Sequence, residues 1–235
     1  MKKIFIIAAM AVAGITTANA QEFKVGAKAG LLLSDISSLK YPTDGLGVIG
    51  TAKYNTAIKP GFHFGAFIEY GFNEKIWVEA GIDYAFQGAK LKSYEFSNGS
   101  LINKTNLKSS SEWTTQQFNI PLWFKYDFNG FRPKVGVNLG LLTNINLDVN
   151  IDNPTNPSSP DNKVSFSPSP DNAFDFSLAF GAEYNLNSGL FFDATFNLGL
   201  SELSTKEYSK DKDGKLLPSV KFKNSAFQIG VGYKF

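Results

Sequence analysis

The sequence predicts an all-β fold, an eight-stranded antiparallel up-and-down transmembrane β-barrel. Three observations lead to this class: eight segments alternate between apolar and small or polar residues, short and long connections alternate between them, and the N-terminus has the composition of an export signal. Alternation with a period of two indicates strands, because successive strand side chains point to opposite faces. Each segment has about the length, roughly 9–11 residues, that a tilted membrane-spanning strand requires.

The N-terminal residues 1–20 are predicted to be a secretory signal peptide. The segment begins with two lysines, continues with an apolar stretch over 4–15 and ends in an Ala-Asn-Ala cleavage motif at 18–20. The outer-membrane β-barrel domain is therefore predicted to be 21–235.

Composition narrows the function classes. Without the two signal-peptide lysines the basic count falls from 23 to 21, equal to the 21 acidic residues, so no basic excess points to nucleic acid. The chain has 0 cysteines, so its stability does not depend on disulfides. No apolar run after residue 20 is long enough for a transmembrane helix, so a membrane-spanning form requires a closed barrel, which satisfies every backbone group within lipid.

Eight segments carry the alternation. They are 23–34, 61–72, 76–87, about 117–128, 131–142, 174–184, 190–200 and 225–235. The last one is the most regular: Phe227, Ile229, Val231, Tyr233 and Phe235 share one face, and the other face is small or polar.

The connections between the segments alternate in length. The short ones are 73–75, the Asn-Gly dipeptide at 129–130, which favours a type I′ turn, and 185–189; the long ones are 35–59, 88–116, 143–173 and 201–224. Short turns on one side and long loops on the other are typical of outer-membrane barrels. With an even strand number, both mature termini are predicted on the periplasmic, short-turn side.

The two tightest turns also predict a strand register. The expected pairs are Phe128–Phe131, Phe124–Val135, Leu122–Val137, Ile120–Leu139, Asp127–Arg132, Tyr70–Val78, Ile68–Ala80 and Phe64–Tyr84. A slip of one residue would mix the two faces, so the alternation supports this register. Pro121 lacks a ladder donor and predicts a bulge or a local bend.

The predicted inner face is rich in charge. It carries Lys24, Lys28, Glu69, Glu79, Asp83, Lys125, Asp127, Arg132, Lys134, Asp175, Glu183, Asp193 and Lys234. Such a set suits a selective channel, an acid–base pair at the opposed Glu69 and Glu79, or a lumen filled by ion pairs. An eight-stranded barrel leaves room only for side chains, which favours the filled lumen, with a lysine between the two glutamates and with Phe67, Trp77, Trp123 and Phe191 as bulky inner groups.

Other candidate sites favour structural interpretations. His63 has no Gly-x-Ser-x-Gly nucleophile frame to accompany it, so it is predicted to be structural. The segment 211–214, Asp-Lys-Asp-Gly, lacks the further ligands of a calcium loop and is predicted to be a turn. The loop aromatics Tyr41, Tyr54, Tyr94, Trp113 and Tyr208 stay open as ligand contacts. No catalytic, cofactor-binding or metal-binding residue is predicted.

The signal peptide, the eight segments and the terminal Gly-Val-Gly-Tyr-Lys-Phe at 230–235 resemble the small outer-membrane β-barrel proteins of Gram-negative bacteria. The opening Phe-Lys-Val-Gly-Ala-Lys-Ala-Gly at 23–30 resembles the Bacteroidetes-type branch, often labelled porin-like. The resemblance implies a cell outer membrane location, outer-membrane lipid as a partner, and recognition of the C-terminal strand by the barrel-assembly machinery. That family shares no catalytic motif, so no functional residue is carried over.

The sequence therefore predicts a non-enzymatic integral outer-membrane barrel with a structural role or a ligand- or partner-binding role through its long extracellular loops. Three alternatives stay open: a narrow porin-like diffusion channel, an outer-membrane lipid-modifying enzyme, and a soluble lipocalin-like barrel. The last one fits poorly, because the inner parity is too charged to line a cavity for a fatty ligand.

Overall fold

The structure is a computed structural model that describes residues 22–37, 39–42, 51–98, 101–108, 110–151, 162–206 and 220–235. The predicted signal peptide and the Asp-Lys-Asp-Gly segment at 211–214 lie outside these ranges. Within them, no helix has both the length and the apolar character needed to cross a membrane.

The described residues form thirteen strands. They are β1 Glu22–Ile36, β2 Leu39–Pro42, β3 Thr51–Gly71, β4 Ile76–Asn98, β5 Leu101–Asn106, β6 Glu112–Tyr126, β7 Phe131–Ile151, β8 Asn162–Phe166, β9 Phe174–Asn185, β10 Leu190–Gly199, β11 Leu203–Ser204, β12 Lys221–Phe222 and β13 Asn224–Lys234.

Eight of these strands close into a ring. Their order is β1, β3, β4, β6, β7, β9, β10 and β13, every neighbouring pair is antiparallel, and β13 returns to β1. The predicted eight-stranded antiparallel barrel is confirmed. The short strands lengthen the sheet at one end. β2, β5 and β8 pair with the ring strands β3, β4 and β7, and β12 joins β2 to β11.

The predicted registers of both tight hairpins are confirmed. Phe124 pairs with Val135, and Phe64 with Tyr84. The prediction of a bulge at Pro121 is wrong. Pro121 pairs in register with Asn138, and only the ladder toward β4 lapses locally, because proline removes one donor without inserting a residue.

The prediction that 35–59, 88–116 and 143–173 are loops is also wrong in part. β3, β4, β6 and β7 continue as paired strands well beyond the predicted membrane segments. Register shifts at Asn55/Thr56, Ile58/Phe62 and Gln116/Gln117 accompany this extension. We call this side the long-hairpin end, and the side with the turns at 73–75, 129–130 and 186–189 the short-turn end.

The two faces of the ring follow the predicted parity. Outward side chains such as Leu31 and Ile82 are 71% and 65% exposed, whereas the inward Phe67, Trp77 and Phe191 are buried. The ring therefore presents a continuous apolar belt on its outer surface and encloses polar and aromatic groups.

Candidate functional site

The interior near the short-turn end is organised around Lys125, whose side chain is fully buried. Its Nζ donates to Glu79, to Glu183 Oε2 at 2.7 Å and to Glu69 Oε2 at 3.4 Å. Strands β3, β4 and β9 supply these three carboxylates, and β6 supplies the lysine, so one ammonium group ties four strands of the ring together.

Two further cations surround the same carboxylates. Arg132 donates to Glu69, and its Nε donates to Asp127 Oδ2 at 2.5 Å. Lys234 Nζ lies 2.7 Å from Glu69 Oε2 and donates to Glu183 Oε1 at 2.6 Å. The Asp127–Arg132 contact that the hairpin register predicts is thereby confirmed.

These groups form a neutral network. We call it the charged plug, and it consists of Lys28, Glu69, Glu79, Lys125, Asp127, Arg132, Glu183 and Lys234. Its four carboxylates balance its four cations. Removing one partner of such a buried set is strongly destabilising, because it leaves an uncompensated charge.

Aromatic rings fill the space beside the charged plug. The Arg132 guanidinium lies 4.2 Å from the centre of the Trp77 ring, and Lys234 Nζ lies 4.9 Å from that of Phe191. Lys134, two residues farther along β7 than Arg132, pairs with Asp193 and lies 4.4 Å from the Trp123 ring centre. Cation–π contacts of this kind favour cations held inside the wall of the barrel.

The predicted interpretation of Glu69 and Glu79 is confirmed. The two residues are direct cross-strand partners, and Lys125 lies between them. Each carboxylate contacts the Lys125 ammonium as well as facing the other carboxylate. The pair therefore has the geometry of a structural ion cluster and not of an acid–base dyad.

A layer of amide side chains around the Asp175 carboxylate follows toward the long-hairpin end. Gln117 Nε2 donates to Asn119 Oδ1 at 2.7 Å and to Asp175 Oδ2 at 3.1 Å. Asn224 donates to the same carboxylate at 3.3 Å, and Gln87 donates to Gln117 Oε1 at 3.1 Å. Two interior cavities in this region have about 10 Å³ each, close to the ~10–15 Å³ that one water occupies and far from a solute passage.

His63 lies in the wall beside this layer and is buried. Its Nδ1 lies 2.8 Å from Asp83 Oδ2. Among the described protein atoms its Nε2 has no hydrogen-bond partner, and a Cβ on Gly30 would approach it to 2.8 Å. A hydrolase would need a serine or threonine hydroxyl at that nitrogen. No serine or threonine hydroxyl of the described residues bonds this nitrogen, and Gly30 leaves the room that the imidazole fills, which supports a structural histidine.

The long-hairpin end is closed by apolar packing. We call this set the outer cluster, and it consists of Ile36, Leu39, Ala89, Leu91, Trp113, Leu142, Ile145, Val149, Leu203 and Phe222. The Trp113 ring centre lies 5.2 Å from that of Phe222 at an angle of 71°. Four ring strands, β1, β4, β6 and β7, and the short strands β2, β11 and β12 contribute to the cluster, which packs like the core of a small soluble domain.

The outer cluster was not predicted from sequence. Trp113, which the sequence left open as a ligand contact, is buried within this cluster. The signal was present in the inward parity of β4, which changes from Asp83 to Ala89 and Leu91. Of the other loop aromatics, Tyr54 and Tyr94 contact each other with ring centres 5.3 Å apart. Tyr208 and the side chain of Tyr41 lie outside the described residues.

One further predicted inner charge, Lys24, does not belong to the charged plug. Lys24 lies at the short-turn mouth, 3.1 Å from Glu22 and 5.0 Å from the Trp77 ring centre. That mouth is an open bowl of about 440 Å³ with Arg132 and Lys234 in its wall. No group of three or more metal-ligating side chains occurs in the described part of the chain.

Comparisons with known proteins agree with this architecture. A family model described as outer membrane protein β-barrel domain matches residues 5–235. The comparison with curated protein sequences gave no match.

Solved structures of similar fold include three membrane proteins. The Neisserial surface protein A has 15% identity and a TM-score of 0.44, over 92% of this chain and 100% of that chain. OprG from Pseudomonas aeruginosa has 17% identity and a TM-score of 0.47, over 92% and 98%. The protease OmpT from Escherichia coli has 12% identity and a TM-score of 0.43, over 94% and 99%. Similarities this distant carry no inference about function.

Proposed function

The chain belongs to the outer membrane protein β-barrel domain family, and from this premise we propose that it is a closed, non-enzymatic barrel of the outer membrane that presents its long hairpins outside the cell. The observation that carries the proposal is the filled lumen. A charged plug, a polar layer and an apolar cluster follow one another along the barrel axis.

The channel alternative requires a continuous passage. Eight strands leave an interior that side chains fill, whereas about 16–18 strands open an aqueous channel. Vesicles that contain the folded protein should therefore not swell in isotonic solutions of small sugars, while vesicles with a general porin swell. Swelling at a rate similar to that of the porin would contradict the closed barrel.

The enzyme alternative requires a nucleophile within reach of a base. His63 and Asp83 form the only imidazole–carboxylate pair of the chain, since the sequence has one histidine. No described serine or threonine hydroxyl bonds His63 Nε2, so we assign this pair a supporting role in the barrel wall. A release of fatty acids from phospholipid vesicles that is abolished in His63→Gln would replace this proposal with the hydrolase.

The orientation is part of the proposal. Glu22 and Phe235 lie at the short-turn end, beside the turns at 130 and 189, and we assign that end to the periplasm. Because the chain has 0 cysteines, single cysteines report on each end. Asn103→Cys on β5 should react with a membrane-impermeant maleimide on intact cells, and Asn187→Cys should react only after lysis. The reverse pattern would invert the orientation.

The closing strand is the proposed contact with the barrel-assembly machinery. Phe235 is 80% exposed, and its N–H donates to Val25 O at 2.8 Å, so the ring is closed up to its last residue. Phe235→Ala should lower the amount of folded protein in the membrane more than Phe72→Ala, a control at an exposed aromatic of the same end. Equal amounts from the two variants would remove the special role of Phe235.

A further inference from the structure

The polar layer between the charged plug and the outer cluster contains a buried carboxylate without a basic partner. The layer is made of the amide side chains described above and of Asp175, which is buried. Asp175 accepts hydrogen bonds from Gln117 Nε2 at 3.1 Å, from Asn224 Nδ2 at 3.3 Å and from the Ser201 hydroxyl at 3.2 Å. All three donors are neutral, so they solvate the carboxylate but do not cancel its charge.

This carboxylate is an exception among the buried acids of the described residues. The others are Glu69, Glu79, Asp83, Glu183 and Asp193, and each of them forms a pair with a lysine, an arginine or His63. An ionised Asp175 is therefore a buried charge that no described side chain neutralises. Such a charge is costly unless something else compensates it.

Two amide oxygens of the same layer lack a hydrogen-bond donor. Asn138 Oδ1 and Asn224 Oδ1 have no partner among the described protein atoms, although the two side chains are only 8% and 5% exposed. Both amide nitrogens are engaged, that of Asn138 by Asn119 Oδ1 and that of Asn224 by oxygens of Gln117 and Asp175. Turning either amide over would set its oxygen against another acceptor. The two unpaired atoms are therefore oxygens.

These side chains enclose a small cavity. It has about 10 Å³, and its lining includes Asn138, Asp175 and Asn224. A single water occupies about 10–15 Å³ by the same measure, so the space admits one water or one dehydrated ion and no larger ligand.

The excess of acceptors distinguishes between the possible occupants. A water supplies two hydrogens but leaves the charge of the carboxylate, and a proton on Asp175 cancels the charge but supplies one hydrogen. A monovalent cation cancels the charge and contacts all three oxygens. Carboxylate and amide oxygens are the ligands of hard cations. A calcium ion would leave an excess positive charge and takes about six to eight oxygens.

We propose that the polar layer holds one sodium ion, bound by the Asp175 carboxylate and by the amide oxygens of Asn138 and Asn224. The small cavity favours Na⁺ over the larger K⁺. The ion joins β7 and β9 to β13, which is not their neighbour in the ring, and so braces the barrel across its lumen. Because the charged plug and the outer cluster lie on either side, the ion exchanges slowly once the barrel has folded. The site concerns the interior alone and does not rest on a role for the hairpins.

Linkage between sodium binding and folding tests the proposal. Urea unfolding of the full chain in phosphatidylcholine vesicles is measured at rising NaCl concentration, with choline chloride keeping the ionic strength constant. An ion that binds only the folded state lowers the unfolding equilibrium constant in proportion to its concentration, by about tenfold for each tenfold increase above the dissociation constant. The wild type should show this dependence. It should also retain about one sodium per chain after desalting into choline chloride, as counted by atomic emission.

The chain provides a matched pair of variants. Asp175 and Asp193 are 2% and 3% exposed, but only Asp193 pairs with a lysine, Lys134. Asp175→Asn should abolish the sodium dependence and the retained sodium. In sodium-free medium it should be at least as stable as the wild type, because it removes the uncompensated charge. Asp193→Asn should be less stable than the wild type, since it leaves Lys134 unpaired, and should keep the sodium dependence.

The wild type alone can contradict the site. Unfolding that does not respond to sodium, or folded protein that retains no sodium, would overturn the proposal and would indicate a protonated Asp175 with a water in the cavity. A sodium dependence that persists in Asp175→Asn, or that is lost equally in Asp193→Asn, would also overturn it.

Discussion

Strand β4 has two regions with the same geometry and opposite chemistry. From 76 to 87 its outward side chains are apolar, as at Ile82, and its inward ones are polar, as at Glu79. From 88 to 98 the parity continues, but Leu91 points inward and Lys90 outward. The pairing with β6 keeps one register from Ile76 to Lys90, across the boundary between the two regions.

The difference shows that the solvent, rather than the backbone, decides which face is apolar. In lipid, apolar side chains gain nothing by leaving the surface, and the enclosed space is held by ion pairs and hydrogen bonds. Beyond the lipid, water restores the hydrophobic effect, and the same strands bury Leu91, Trp113 and Ile145. One lumen is therefore closed twice, by charge within the membrane and by apolar packing outside it.

A substitution in the charged plug should have the largest effect on the free energy of unfolding. Lys125→Ala leaves Glu69, Glu79 and Glu183 without their shared cation, and we expect a loss of about 3–5 kcal/mol in the free energy of unfolding. Urea titration of the protein in lipid vesicles measures it. Lys24→Ala, which breaks a partly exposed pair with Glu22, is the control and should cost less than about 1 kcal/mol.

An arginine substitution within the apolar belt on β7 should have the next largest effect on stability. Val137→Arg places a charge near the middle of the apolar belt and should destabilise the folded state by about 2–4 kcal/mol. Thr143→Arg has the same outward parity but lies beyond the belt, so it should fold in vesicles almost as well as the wild type. If both arginines had the same effect, the boundary between the two regions would not lie between these positions.

The smallest expected effect is that of an isoleucine-to-valine substitution, which can be compared in both regions. Ile145 is 0% exposed in the outer cluster, and Ile145→Val should cost about 0.5–1.5 kcal/mol, as in the core of a soluble protein. Ile82→Val on the lipid face should change stability by only a few tenths of a kcal/mol, because acyl chains fill the space of the lost methylene. A larger loss at Ile82 would contradict this distinction.

The strands of the membrane region and the facing of their side chains could be predicted because the alternation specifies both. Parity gave the facing of Val137 and Asn138, and the Asn129-Gly130 turn gave the register. The contacts of Lys125 could not be predicted, since its three carboxylates come from strands distant in sequence. That contact pattern depends on the closure of the ring.

The region beyond the membrane could not be predicted from the same pattern. The outward residues change from apolar to polar where the membrane segment ends, so the apolar pattern stops there. The strands themselves continue to Asn98 and Ile151. The register shift between Gln116 and Gln117 then makes Thr143 an extra residue on β7 and brings both Leu142 and Ile145 inward. Bulges of this kind have no strong sequence signal.

Conductance across a planar bilayer tests the doubly closed lumen most directly. The folded wild-type protein should produce no steady current at moderate voltage, because the charged plug and the outer cluster lie in series along the axis. Brief, small openings would agree with side-chain motion in the plug. A steady conductance comparable to that of a general porin would show an open lumen and would contradict the account.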